Sequence, residues 1–125
     1  MREARRFSRV LLEQFAKAKI LGVRADKKHR YTGVWVVVVE NRVFVRSWND
    51  KPTGWFRAFA DEPEGSVQLN DKEIPVRARR TRSERLQRAV SIAYGVKYNT
   101  KASEKWVRGF SQPEREVNTL ELLLA

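Results

Sequence analysis

The chain has 125 residues, the length of one domain, and a formal net charge of +11 at pH 7. A domain of this length buries roughly two thirds of the surface that its unfolded chain exposes, so it needs no covalent staple. Cysteine is absent and His29 is the one histidine, which excludes disulfides, a cysteine nucleophile and a Cys- or His-rich metal centre. No apolar run approaches the ~20 residues of a membrane span, and the first residues lack the apolar core of a secretory signal, so a cytoplasmic protein is expected.

The N-terminal residues predict an amphipathic helix and a short strand. Over about residues 7–19, apolar side chains from Phe7 to Ala18 recur at helical spacing, with basic residues and glutamine between them. Ser8 is placed to cap this helix. Residues 20–25 then predict a short strand, which a polar connection over residues 26–30 joins to the next element.

Residues 33–40 and 42–48 predict a β-hairpin whose turn is at Glu40 and Asn41. Its first arm is apolar on both faces, which is typical of a strand that is covered on both sides, as in a closed or half-closed barrel. Its second arm alternates between two faces. One face carries Val43, Val45 and Ser47, and the other carries Phe44, Arg46 and Trp48.

The second half of the chain predicts further elements of the same kinds. A short helix runs from an N-cap at Thr53 to about residue 60, and a longer helix runs from Ser83 to Lys97. Between them, residues 66–69 and 73–80 predict a second hairpin, in which Pro75 implies an edge strand or a local gap in the ladder. Residues 99–115 are expected to be irregular, and residues 117–124 predict a last strand. About six strands and three helices indicate an α+β roll in one domain over residues 1–125.

Several short runs, taken with this order of elements, are familiar. They are Phe-Val-Arg-Ser-Trp-Asn at 44–49, the helix around Trp55 and Phe56, the Val-Gln-Leu and Val-Arg-Ala-Arg strands, and the Arg/Ala-rich helix ending in Tyr98. Over about residues 20–125 they resemble a bacterial family of uncharacterised small domains. That family is similar in turn to split β-barrel flavoproteins, including deazaflavin-dependent nitroreductases and pyridoxamine-phosphate-oxidase-like FMN-binding proteins. The resemblance implies a six-stranded antiparallel split β-barrel with about three helices, in a homodimer.

The same resemblance implies a cofactor, FMN or a deazaflavin, and therefore an oxidoreductase of nitroreductase type. The cofactor phosphate would be held by Arg30, Thr32, Ser47, Asn49 and Lys51, and Trp48 or Trp55 would cover the ring. A helix N-terminus beside the loop with Lys51 independently favours an anion there. No catalytic residue, substrate or metal site is identified. The segment 26–33 keeps the basic residues, but not the small ones, of the Gly-Arg-Lys-Ser-Gly-like run that deazaflavin enzymes carry.

Two other functions remain open. Residues 1–30 carry ten basic and three acidic groups, and residues 72–88 carry seven and two, which suits a non-enzymatic module that binds nucleic acid or another polyanion. Nucleic acid is the weaker partner because no aromatic ladder is interleaved with these clusters, and Arg77 and Arg79 fall on the strand face opposite Ile74, Val76 and Ala78. The role of the arginines within 77–88 is left open. A cofactor-free family member acting as a small-ligand sensor is the third hypothesis.

Overall fold

Seven antiparallel strands wrap into a nearly closed barrel. The computed structural model describes residues 5–26 and 29–125, so that two lysines of the predicted polar connection lie outside the described residues. The strands are β1 (Leu21–Arg24), β2 (Thr32–Val34), β3 (Val36–Val39), β4 (Arg42–Arg46), β5 (Glu64–Leu69), β6 (Lys72–Arg80) and β7 (Thr119–Leu124). The helices are α1 (Arg9–Lys17), α2 (Trp55–Asp61), α3 (Glu84–Lys97), α4 (Glu104–Phe110) and α5 (Pro113–Glu116), with a 3₁₀ turn at Lys101–Ser103.

The barrel is closed by one chain segment that bends at Trp35. The strand order is β2-β1-β5-β6-β7-β4-β3, so the two outermost strands of the sheet follow one another in the chain. Before the bend, Gly33 pairs with Gly22 of β1; after it, Val36 pairs with Val45 of β4. The seam of the barrel therefore lies where β2 and β3 diverge.

Side chains of α3 and of its C-cap residue, Tyr98, bind the backbone groups around this bend. The Tyr98 hydroxyl accepts a hydrogen bond from Val36 N (3.1 Å) and donates one to Lys19 O (2.7 Å). The Tyr94 hydroxyl donates to Trp35 O (3.1 Å), and Lys97 Nζ donates to Val36 O (2.6 Å). Because buried backbone groups need partners, these side chains replace the ladder bonds that the bend interrupts.

The predicted first arm of the hairpin, residues 33–40, is therefore two strands, and the sheet has seven strands where six were expected. A continuous apolar run has the same pattern whether it is straight or bent, which is why the sequence did not reveal the break. Coverage on both faces is confirmed, since Val36 lies in the barrel interior and Val37 packs under α3. The alternation of β4 is confirmed as well, with Val43 and Val45 inside and Phe44 outside.

Both hairpin turns have the backbone conformation that their residues favour. The φ angles are 54° and 60° at Glu40 and Asn41, and 49° and 68° at Asn70 and Asp71. Positive φ at both central residues is the mark of tight hairpin turns with the right twist. β6 lies inside the sheet rather than at its edge, but Pro75 lies beyond the last pair of its ladder with β7, and its carbonyl accepts from Ala125 N (3.2 Å).

The helices differ from the prediction in number and at their ends. Ser8 caps α1 as expected, its Oγ accepting from Leu11 N (3.3 Å), but the helix covers 9–17 and not 7–19. Gly54, not Thr53, precedes α2 and provides no side-chain cap. The region 99–115, expected to be irregular, holds the 3₁₀ turn, α4 and part of α5. These pieces are too short to show a helical period, so five α-helices are described where three were expected. No described helix is long and apolar enough to cross a bilayer.

Candidate functional site

The seam of the barrel opens into a cleft of about 300 Å³ beside the Trp35 bend. Five aromatic side chains from four parts of the chain line it: Trp35, Trp48, Trp55, Trp106 and Phe110. The strand side is formed by Thr32, Gly33 and Val34 of β2 with Ile20, and Arg46 completes the lining. Arg46 is the one charged residue among the described residues that line this aromatic cleft.

The aromatic rings hold one another in place. Trp35 stacks on Tyr98 of α3, with ring centroids 4.1 Å apart and planes within 5°, and it meets the edge of Phe110 at 5.9 Å. Trp48 contacts Trp106 at 5.2 Å and Phe110 at 5.6 Å. Offset and edge-to-face pairs of this kind are favourable beyond the area that they bury. The wall of the cleft is therefore preformed by the packing of α3 and α4 on the barrel.

Trp48 is clamped from the side of α4 and α5. The Arg115 guanidinium lies 3.6 Å from the centroid of the indole ring, and its Nε donates to Trp48 O (3.1 Å). On α4, Gly109 approaches the same ring so closely that a β-carbon there would overlap the indole. Gly109 is thus a residue whose lack of a side chain decides the position of Trp48.

Arg46 is buried, with 2% of its surface exposed. Its guanidinium makes four hydrogen bonds to uncharged oxygens: Nε donates to Thr119 Oγ1 (2.8 Å), Nη1 to Ser91 Oγ (2.7 Å) and Phe110 O (2.8 Å), and Nη2 to Gln87 O (2.7 Å). No carboxylate of a described residue contacts it directly. Glu116 is linked to it through the Ser91 hydroxyl, which donates to Glu116 Oε2 (2.7 Å). Burial lowers the pKa of Arg46 from its ordinary value, and the Tyr94 and Glu116 groups oppose this shift.

The loop after β4 adjoins the cleft and is tied by its own hydrogen bonds. Ser47 is buried, and its hydroxyl donates to Asn49 O (2.5 Å). The Asn49 side-chain oxygen accepts from Lys51 N (3.1 Å), and Gly54 N donates to Lys51 O (2.9 Å). The Lys51 side chain is exposed, and Asp50 is paired with Arg57. Within the described residues, this loop thus offers the Lys51 ammonium and the Asn49 amide nitrogen to a ligand.

The seven predicted cofactor-binding residues fall into two groups. Thr32, Trp48 and Trp55 line the aromatic cleft. The others are outside its lining: Ser47, Asn49 and Lys51 in the loop, and Arg30 exposed just before β2. Their proposed role in holding a phosphate stays a prediction.

Four aromatic or charged residues of the cleft lining were not among the predicted site residues: Trp35, Arg46, Trp106 and Phe110. One signal was present, because Arg46 places a charge between Phe44 and Trp48 on an otherwise aromatic strand face. Such a charge, on a face that another element covers, must be buried. No local signal pointed to Trp106 and Phe110, because they lie on α4, which was expected to be irregular.

Three of the six arginines of 77–88 lie in ion pairs. Arg77 and Arg79 point outward from β6 as expected, where Arg77 pairs with Glu64 (3.3 Å) and Arg79 with Glu121 (2.8 Å). Arg85 pairs with the Glu40 carboxylate (2.5 Å), which lowers the pKa of that carboxyl. The exposed pairs of Arg77 and Arg85 contribute little to stability, whereas Glu121, the partner of Arg79, is buried. The paired carboxylates neutralise part of the positive charge that would attract a polyanion to this segment.

Comparisons with known proteins identify a family and a fold. A family model described as "Uncharacterized protein conserved in bacteria (DUF2255)" matches residues 11–122. No curated protein matches the chain. Among solved structures, the crystal structure of conserved hypothetical protein Rv2991 from Mycobacterium tuberculosis is similar, with a TM-score of 0.58 and 10% identity over 100% of this chain and 84% of that one. At that identity the likeness concerns the fold alone.

Proposed function

The chain belongs to DUF2255, a family of uncharacterised bacterial proteins, and from its aromatic cleft we propose that it binds a planar, phosphate-bearing heterocycle of the flavin or deazaflavin type. The observation that carries this proposal is the convergence of all four tryptophans of the chain on one cleft at the barrel seam. A flat aromatic ligand gains from stacking on such side chains.

The size of the cleft suits the ring of such a ligand. At about 300 Å³ it is at the lower end of the range of small-molecule pockets, so it has room for a ring system and not for a whole cofactor. The remainder of the ligand would extend over the protein surface, where Lys51, Asn49 and Arg30 supply donors to a phosphate. A ligand with its ring in the cleft and its phosphate at the loop is consistent with the resemblance to split-barrel flavoproteins.

An oxidoreductase of nitroreductase type is the activity that fits this ligand. A bound flavin or deazaflavin supplies the hydride chemistry, and the protein supplies orientation, electrostatics and exclusion of water. In this chain the exclusion of water falls to Trp35, Trp48 and Phe110, which are held by the contacts described above. The orientation of the ligand falls to Thr32 and Trp55, which also line the cleft.

Titration with FMN and with a deazaflavin tests the proposal. The tryptophan fluorescence of the protein should be quenched, because every tryptophan of the chain lines the cleft, and the visible absorption band of the ligand should shift. Trp55→Ala should weaken binding by roughly 10-fold, the equivalent of one stacking contact. Lys51→Ala should weaken the binding of the phosphate-bearing ligand but not the binding of a riboflavin-like analogue that lacks the phosphate.

Lys72→Ala is the matched control for Lys51→Ala, since Lys72 is also an exposed lysine but starts β6 at the Asn70-Asp71 turn. The Lys72→Ala variant should bind FMN with the same affinity as the parent protein. If purified protein carries no chromophore, and neither ligand changes the tryptophan fluorescence, the flavin proposal is wrong.

A further inference from the structure

The electrostatics of the aromatic cleft are one-sided. No acidic residue is among the described residues that line it, and Arg46 is. Two more cations contact tryptophan rings of its lining: the Arg115 guanidinium lies 3.6 Å from the centroid of the Trp48 ring, and the Lys105 ammonium lies 5.2 Å from that of the Trp106 ring. Charges in a water-poor, aromatic site act over a longer range than they do in water.

Arg46 itself is incompletely neutralised. A guanidinium has five N–H donors, and its four hydrogen bonds here end on Thr119, Ser91, Phe110 and Gln87, so one Nη2 hydrogen has no acceptor among the described residues. Uncharged oxygens satisfy donors but do not cancel the charge, and the Glu116 carboxylate, which offsets part of it, is linked to Arg46 only through the Ser91 hydroxyl. A buried cation normally has a carboxylate in direct contact, because removing it from water is costly.

From this geometry we infer that the cleft selects planar aromatic anions, and that Arg46 is the specificity residue that recognises their negative charge. The inference rests on the proposed function and deepens it: the part of the ligand inside the cleft carries a carboxylate, enolate or phenolate group, in addition to any phosphate at the loop. The ligand anion completes the partners of Arg46 by accepting the one free Nη2 hydrogen, in a charge-assisted hydrogen bond.

An aromatic cage can also hold a quaternary ammonium group over its ring faces. Here that occupant is disfavoured, because Arg46 lies in the lining and Arg115 already covers one face of Trp48. Tighter binding of an ammonium ligand than of an anion would therefore contradict the inference.

The test compares three probes with one ring system: 2-naphthoate, 2-naphthamide and a 2-naphthyl-trimethylammonium salt. Each is titrated into the whole chain at low salt, with tryptophan fluorescence and calorimetry as readouts. Hydrogen bonds to a charged group contribute about 1.5–3 kcal/mol, so naphthoate should bind roughly 10- to 100-fold more tightly than the amide. The ammonium probe should bind more weakly than the amide.

Substitution then assigns the preference to a residue. Arg46→Lys keeps the charge but loses the planar guanidinium whose internal hydrogen bonds fix the free Nη2 hydrogen, and Arg46→Gln loses the charge as well. The preference for naphthoate over naphthamide should therefore shrink in Arg46→Lys and disappear in Arg46→Gln. Lys51→Ala should leave it unchanged, because the carboxylate is recognised in the cleft and not at the loop. Circular dichroism and thermal unfolding show which variants are folded.

A measurement on the parent protein covers the case in which Arg46→Gln does not fold. The buried Nε–H of Arg46, bonded to Thr119, should give a slowly exchanging nitrogen-15 signal. At equal occupancy naphthoate should shift that signal further than naphthamide does, because the two probes share one ring and differ in charge.

Equal affinity for naphthoate and naphthamide overturns the inference, as does a preference that Lys51→Ala abolishes or a tighter ammonium complex. Those results leave the proposed function intact as long as FMN or a deazaflavin still binds. Failure of every planar probe, flavins included, rejects the proposed function itself. The two claims can therefore fail separately.

Discussion

The two faces of the segment 43–48 build different regions of the molecule. On one face, Val43 and Val45 close the barrel interior with hydrocarbon. On the other, Phe44 lies under α3, and Arg46 and Trp48 belong to the aromatic cleft. Alternate residues of one segment thus stabilise the barrel and line the candidate site. Substitutions on one face should therefore change mainly stability, and substitutions on the other face should also change the site.

The barrel interior should show the largest effect. Val45→Asp places a carboxylate on a fully buried position without a partner, and we expect a loss of about 4 kcal/mol or more in the free energy of unfolding. Urea denaturation of the soluble fraction measures it. Val96→Asp is the control, because Val96 on α3 is 70% exposed, and it should cost less than about 1 kcal/mol. Similar losses in both variants would contradict the distinction between interior and outer layer.

On the cleft side, Gly109→Ala should change the site as well as the stability. The new methyl group would overlap the Trp48 indole, which must move, at a cost of about 1–3 kcal/mol. Near-ultraviolet circular dichroism and tryptophan emission should change with it. Gly95→Ala on α3 is the matched control, since its β-carbon would meet Val107 at an ordinary 3.6 Å, and it should stabilise by up to about 1 kcal/mol. Unchanged tryptophan spectra in Gly109→Ala would refute the close contact.

The bend that joins the two regions depends on hydroxyl groups of α3. Tyr98→Phe removes the acceptor of Val36 N and the donor to Lys19 O, so the free energy of unfolding should fall by about 1–2 kcal/mol. Amide hydrogen exchange should become faster at Val36 in particular. Tyr31→Phe removes one half-buried contact with Ser66 and should cost less. A larger loss in Tyr31→Phe would mean that the bend does not need α3.

The smallest effect expected is a pH dependence that comes from Lys97. Burial, followed by repulsion from Lys19, lowers the pKa of Lys97 to about 8, below the value of about 10.4 in an unfolded chain. Between these values the unfolded state binds more protons, so the free energy of unfolding should rise with pH. Burial raises the pKa values of Tyr94 and Tyr98 in the folded protein. Above about pH 10 these tyrosines therefore lose their protons more readily in the unfolded chain, and the free energy of unfolding should fall again. Lys97→Met should remove the rise between pH 8 and 10; a rise that persists would assign it to another group.

Short-range features of the fold could be predicted from the sequence. The turns at residues 40–41 and 70–71, the Ser8 cap and the alternation of residues 43–45 each depend on a few neighbouring residues, and the structure confirms them. The bacterial family was also predicted correctly. For the site, three of the predicted residues, Thr32, Trp48 and Trp55, line the cleft. The phosphate role of Arg30, Thr32, Ser47, Asn49 and Lys51, the cofactor, the homodimer and the cytoplasmic location stay predictions.

The sequence by itself determined the local elements and the alternation of faces, because backbone preferences and side-chain periods act within a few residues. Only the tertiary structure decided that the run before Glu40 bends at Trp35, because the hydroxyls that make the bend tolerable come from α3, about 60 residues further along. It also decided that Arg46 is buried among uncharged oxygens and that Trp106 and Phe110 join Trp35 and Trp48. Convergence of distant side chains depends on packing, and packing has no local sequence signal.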